Sequence, residues 1–112
     1  MMIGTEPRLD PTTVDRLVHE PARMAVLSFL DGVTETDYAV LQRVLGLTGG
    51  NLSAHLAKLA AGGLVTITKT FLRGVPQTTL AITGQGRDAR AQHWKQLERI
   101  RDLSDGATAS LP

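Results

Sequence analysis

The chain has 112 residues, of which 42% are apolar, a formal net charge of +1 and no cysteine. That length suits one domain with a single core, and the missing cysteine excludes disulfides, thiolate metal sites and cysteine nucleophiles while fitting a reducing cytosol. No apolar run is long enough to span a bilayer, and MMIGTEPRLDPTT lacks the basic and then apolar layout of a secretory signal.

In chain order, residues 1–11 read as a loose arm containing Gly4, Pro7 and Pro11. Thr12 or Thr13 caps a short helix to about His19, with Val14, Leu17 and Val18 as its apolar stripe. Pro21 opens a second helix to about Leu30, apolar on most sides and therefore central. Asp31-Gly32 ends it, and Val33-Thr34-Glu35 reads as a very short strand. Thr36 or Asp37 caps a third helix to about Leu45, with Val40, Leu41, Val44 and Leu45 turned inward. Gly46 supplies the left-handed residue that stops this helix. Thr48 caps the next helix, and Leu47 and Leu52 sit where a hydrophobic staple needs them.

That fourth helix runs from Gly49 to about Ala61. Leu52, Leu56 and Leu59 repeat at i, i+4 and i+7 and face the core. Asn51, His55 and Lys58 repeat at the same spacing, on a face roughly 100° away. Gly62-Gly63 stops the helix. Leu64–Thr70 and Thr78–Ile82, rich in β-branched residues, read as two strands of a hairpin. Phe71 to Pro76 forms its tip, with Arg73 at the turn. Thr83 caps a last helix, Gly84 to about Leu103, and the tail 104–112 frays.

The charge is unevenly spread. From Tyr38 to Arg87 there is no Asp or Glu, while Arg43, Lys58, Lys69, Arg73 and Arg87 give that stretch a net +5. Residues 1–37 carry net −4 and residues 88–112 net 0. An acid-free surface beside two helices joined by a tight turn points to a phosphate backbone as partner.

The order of elements resembles a winged helix domain, and the strings HEPARMAVLSFL, LGLTGGNLSAHLAKLAAGGLV and TLAITGQGR resemble MarR- and ArsR-type transcriptional regulators over roughly residues 13–87. One departure is Gln42, where related sequences often carry Ala after the leucine that is Leu41 here. The resemblance implies a mainly α fold with a small β-hairpin wing, a core over 12–83 and a pairing helix over 84–103. It also implies that Gly49–Ala61 enters a DNA major groove while the hairpin reaches an adjacent minor groove. The residues agree with this. Thr48, Gly49 and Gly50 begin a helix whose N-terminus favours an anion. Asn51 can bond an adenine edge, and Ser53, Ala54 and His55 are further candidates for base contacts. Lys58, Lys69 and Arg43 suit phosphates, and Arg73 suits the minor groove.

Val14, Leu17 and Val18, with Trp94, Leu97, Ile100 and Leu103 of the last helix, form a stripe for a second copy. The resulting homodimer would meet a pseudo-palindromic operator in double-stranded DNA, and a small-molecule effector could occupy the crevice it creates. No cofactor is expected. His19, His55 and His93 are far apart in sequence, so no metal is expected either. Catalysis finds no support: Ser53 and His55 do not face each other on a helix, Glu35 and Asp37 read as capping or solvated acids, and Thr48-Gly49-Gly50 lacks the lysine of a phosphate-binding loop. A winged helix used for protein docking instead of DNA is the alternative, favoured by the near-neutral net charge.

Overall fold

The computed structural model describes residues 15–105. Four helices and a three-stranded antiparallel sheet enclose one core. Val14, the expected caps at Thr12 and Thr13, and the arm and end of the tail lie outside the described residues.

Helix α1, Pro21–Asp31, begins with Pro at its first turn, where no N–H is needed. Its cap is Glu20, whose carboxylate accepts from the Arg23 N–H at 2.8 Å. Val26, Leu27 and Leu30 are fully buried, which makes α1 the central helix. The segment before it is a turn, not the end of a helix. Val18 and His19 N–H groups both bond the Asp15 carbonyl, and the Asp15 carboxylate accepts from the Leu17 N–H. This strap folds inward. Val18 is 1% exposed in the core, so it is not part of a stripe offered to another copy. Leu17 also packs on the core.

The first strand is β1, Thr36–Asp37, and not Val33–Glu35. Val33 N–H still bonds the Leu30 carbonyl, so the chain finishes the helix end before it can extend. Pairing starts only where Thr36 meets Leu80 and Asp37 meets Thr79 on β3, Val75–Ile82. Helix α2, Tyr38–Leu45, is capped by Asp37, whose carboxylate accepts from the Val40 N–H at 2.7 Å. Leu41 is buried, and Val40 and Leu45 are half-buried. Val44 is 53% exposed, against expectation. Helix α2 packs mainly on α1, β1 and β3, and Val44 is not covered by them.

Gly46 takes φ 66° and donates its N–H to the Gln42 carbonyl, closing α2 as the sequence requires. Thr48 caps α3, Gly49–Ala61, by accepting from the Asn51 N–H at 3.2 Å. Leu52, Leu56 and Leu59 are at most 2% exposed, and Leu47 packs on the same core.

The hairpin is longer than the sequence pattern suggests. Strand β2 spans Val65–Leu72 and pairs with β3 up to Phe71 opposite Pro76 and Leu72 opposite Val75. Only Arg73 and Gly74 remain as the turn, both at positive φ (53° and 80°). A two-residue turn of this hand matches the twist of the strands, so pairing runs to the tip. Pro76 is tolerated because β1 reaches only as far as Thr79 and Leu80, leaving the edge of β3 open there.

Helix α4, Gly84–Arg101, is capped by Thr83, which accepts from the Gly86 N–H and donates to the Gly63 carbonyl. It lies against α1, where Asp31 pairs with Arg87 and Arg90, each at 3.0 Å. Gly86 is the tightest point: a Cβ there would stand 2.1 Å from the Leu64 carbonyl oxygen. We expect Gly86→Ala to cost about 1–3 kcal/mol by overpacking. Gly50, with nothing within 4 Å of its would-be Cβ, should instead gain up to about 1 kcal/mol on change to Ala. Urea unfolding of the two variants checks both signs.

Candidate nucleic-acid interface

The buried leucines fix which way α3 faces. With that row against the core, Asn51, Ser53, Ala54 and Lys58 are exposed. Gly50 and Thr48 are exposed at the start of the helix and Gly49 is half-buried. Neither α3 glycine has positive φ, and neither meets close packing from its own fold. Packing within the fold therefore does not require glycine at either position. Arg43 on α2, Lys69 on β2 and Arg73 at the hairpin tip are also exposed.

Arg73 is the one non-glycine residue with positive φ among those described. The left-handed conformation costs a side-chain-bearing residue roughly 1–2 kcal/mol. Glycine or asparagine would serve the turn better, so the guanidinium is kept at some cost in stability.

Two side chains on α3 have partners within the fold. Ser53 Oγ lies 2.8 Å from the Tyr38 hydroxyl, which also donates to the Gly49 carbonyl. Tyr38 thus ties α2 to the first turns of α3. His55 is half-buried, with its Nδ1 3.2 Å from Arg23 Nη1 and 3.6 Å from Glu20 Oε2. A guanidinium can only donate, so Nδ1 accepts and the ring proton sits on Nε2. Burial raises the Glu20 pKa, but the backbone N–H groups of Arg23 and Ala22, with the Arg23 charge beside them, outweigh it and hold the carboxyl below its ordinary value.

A family model described as a winged helix DNA-binding domain matches residues 22–101. This chain belongs to that family. An uncharacterized protein of Methanocaldococcus jannaschii is 34% identical over 74 residues, covering 66% of this chain and 80% of that protein. A transcriptional regulator homologue from Pyrococcus horikoshii OT3 superposes with a TM-score of 0.76 at 28% identity, over 81% of this chain and 90% of that one. The fold is also that of the transcriptional repressor CouR bound to a 23-mer DNA duplex (TM-score 0.63, 23% identity, 86% and 79% covered). A MarR family regulator from Silicibacter pomeroyi shares it too (TM-score 0.61, 22% identity, 79% and 58% covered).

In this winged helix domain the hairpin is the wing. Its distal part carries an apolar group that the sequence reading left out of the site: Phe71, Leu72 and Val75 are 75%, 59% and 63% exposed. Their exposure follows from the continuation of the strands beyond the core, a long-range property that local propensity does not carry. Tyr38, Arg23 and Glu20 were also missed, because each acts on a helix 11 to 35 positions away.

The histidines are not all isolated. His19 Nδ1 and His93 Nε2 are 3.3 Å apart, and His55 belongs to the separate Arg23–Glu20 group. Among the described residues no three metal-ligating side chains cluster. On α4, Trp94 is 40% exposed and Leu103, just beyond the helix, is 52% exposed, with Ile100 exposed and Leu97 half-buried between them.

Removing the Tyr38 hydroxyl should loosen the start of α3. Tyr38→Phe is expected to cost about 0.5–1.5 kcal/mol in urea unfolding and to speed amide exchange at Asn51 and Leu52 relative to the core of α1. Unchanged exchange would mean that the tie does not hold the helix.

Proposed function

We propose that the chain is a sequence-specific, double-stranded DNA-binding transcriptional repressor that acts in the cytoplasm as a homodimer. The observation that carries this reading is the edge of α3. Asn51 and Lys58 stand exposed on a helix seated by its leucines, within a stretch that has no acid from Tyr38 to Arg87.

Placed in a major groove, α3 would present the Asn51 amide to a base edge and Lys58 to a phosphate. Thr48, Gly49 and Gly50 would bring backbone N–H groups close to a second phosphate. Ser53 and Ala54 would face bases or thymine methyls, and His55 would contribute through its Nε2 edge. Arg43 and Lys69 would meet the backbone, and the wing would carry Arg73 to the minor groove.

Two copies joined through Trp94, Leu97, Ile100 and Leu103 would bring two such helices to half-sites roughly 34–36 Å apart. The strap contributes only Leu17 to that stripe, since Val18 is buried in its own domain. The CouR complex with a duplex supports DNA as the partner class, and the PcaV regulator solved with its natural ligand supports a role for an effector.

The direct test is fluorescence anisotropy on promoter DNA flanking the gene. Lys58→Ala should weaken all sequences and lower the log-log salt slope by about 0.9. Asn51→Ala should relax preference at one base position, at about 1–3 kcal/mol of discrimination. Arg73→Gly should separate stability from function, with stability rising by about 1 kcal/mol while DNA affinity falls. Retention of a protein partner with no DNA binding at about 100 mM salt would favour the docking alternative.

The pairing surface has its own test. Trp94→Glu should convert a dimer to a monomer in sedimentation velocity and reduce affinity for a two-half-site duplex far more than for a single half-site. An unchanged sedimentation coefficient would rule out α4 as the pairing surface.

A further inference from the structure

The strap of residues 15–20 touches both ends of the machine. On one side His19 meets His93 of α4, the helix assigned to pairing. On the other side the strap reaches α3. Leu17 fills the notch over Gly62, where a Cβ would stand 2.3 Å from the leucine Cδ2. Arg23 binds the strap carbonyls of Leu17 (2.6 Å) and Arg16 (3.3 Å) and places its remaining amine on His55 of α3. Strap, Arg23 and His55 thus form a continuous run of contacts from the pairing helix to the reading helix.

We propose that the His19–His93 pair is a proton-gated latch that holds the strap on α4 and thereby sets the position of α3. The proposal rests on the assignment of α3 as the DNA-reading helix.

The chemistry of the latch follows from its donors. At 3.3 Å one imidazole donates N–H and the other accepts. One added proton can be shared, because an imidazolium still donates to a neutral neighbour. A second proton leaves two donors facing each other. It also puts charge on His93, which is 3% exposed and whose Nδ1 has no hydrogen-bond partner among the described residues. Burial first, and then the charge of His19, lower the His93 pKa, while Asp15 opposes them. Asp15 is on the strap with His19. From α1, Asp31 is engaged with Arg87 and Arg90, and Glu20 at its cap and Arg23 are engaged at His55, so neither group neutralises His93.

The sign is fixed by linkage. A base with a depressed folded pKa leaves the unfolded chain binding more protons as pH falls below the ordinary value of roughly 6.5. Stability conferred by neutral His93 is therefore complete above that value and is lost as pH falls toward the folded pKa. The local response is release of the strap, which lifts Leu17 from Gly62 and removes the Leu17 and Arg16 carbonyls that anchor Arg23 against His55, so that α3 can shift against α4. In a dimer joined through α4, that shift changes the spacing of the two reading helices.

The test combines NMR and anisotropy, in EDTA, between about pH 7.5 and 5.0. In the wild type, titration of the His93 imidazole should move backbone amide signals across α3. Arg23→Gln should leave His93 titrating but uncouple α3. Affinity for promoter DNA should fall by about tenfold or more on acidification, although added positive charge alone would strengthen it. His93→Gln should remove the fall. His55→Gln, whose affinity is itself expected to drop, should retain it, because its amide oxygen can still accept from Arg23. If His93→Gln proves unfolded, His19→Gln serves in its place, since an amide cannot form the doubly charged pair. Titration of His93 with no movement in α3 overturns the latch whether or not DNA binds. Unchanged or tighter binding at low pH also overturns it. Coupled NMR shifts with no DNA binding at any pH would leave the latch standing and defeat the DNA reading.

Discussion

Burial of Leu52, Leu56 and Leu59 against α1 and the sheet is the constraint from which the rest of the molecule follows. Each such side chain stabilises the seated helix by about 1.5–3 kcal/mol relative to exposure. With three on one stripe, α3 has a single low-energy rotation about its axis. That rotation decides which side chains meet solvent. Asn51 and Lys58 are exposed because the leucines are not, and His55 falls at the margin, where Arg23 and Glu20 can reach it.

The other elements hold that seat in place by local means. Gly46 at φ 66° turns the chain so that Thr48 can cap α3, and Tyr38 crosses from α2 to bond Gly49 and Ser53. On the opposite side Thr83 joins the end of α3 to the start of α4 through Gly63, and Gly86 lets the last helix approach the Leu64 carbonyl. The Asp31 pairs with Arg87 and Arg90 are partly exposed, so they orient α4 more than they stabilise it. The buried core carries the free energy of the fold, and the polar ties set its geometry.

The wing shows the opposite balance. Beyond Val65 every residue of β2 is exposed, so the distal hairpin rests on backbone pairing and on a tight turn. A strained arginine at that turn and three exposed apolar residues beside it are a poor design for stability alone. They leave the tip of the wing open to solvent, where the proposed minor-groove contact of Arg73 would form.

Much of this was legible in the residues. The leucine row, the glycine stop at Gly46, the threonine caps at Thr48 and Thr83, and the helix boundaries at Pro21, Gly49 and Gly84 are local signals, each set by contacts within a few positions. They were enough to name the winged helix arrangement and the outward edge of α3. Where local signals compete, tertiary packing decides between them. The strap looked helical, yet Asp15 turned it and Val18 went into the core. The short strand moved to Thr36–Asp37, where β3 could receive it. The tip of the wing shrank to two residues once cross-strand pairing was counted. The partners of His55 and the meeting of His19 with His93 lay beyond any sequence pattern. They join residues 32 to 74 positions apart, and only the packing of α1 between α3 and α4 brings those residues within reach. The sequence determined where α1 to α4 begin and which face of α3 is buried, because both depend on spacing along the chain. Tertiary structure decided which polar groups meet across them, because that depends on how the buried faces fit together.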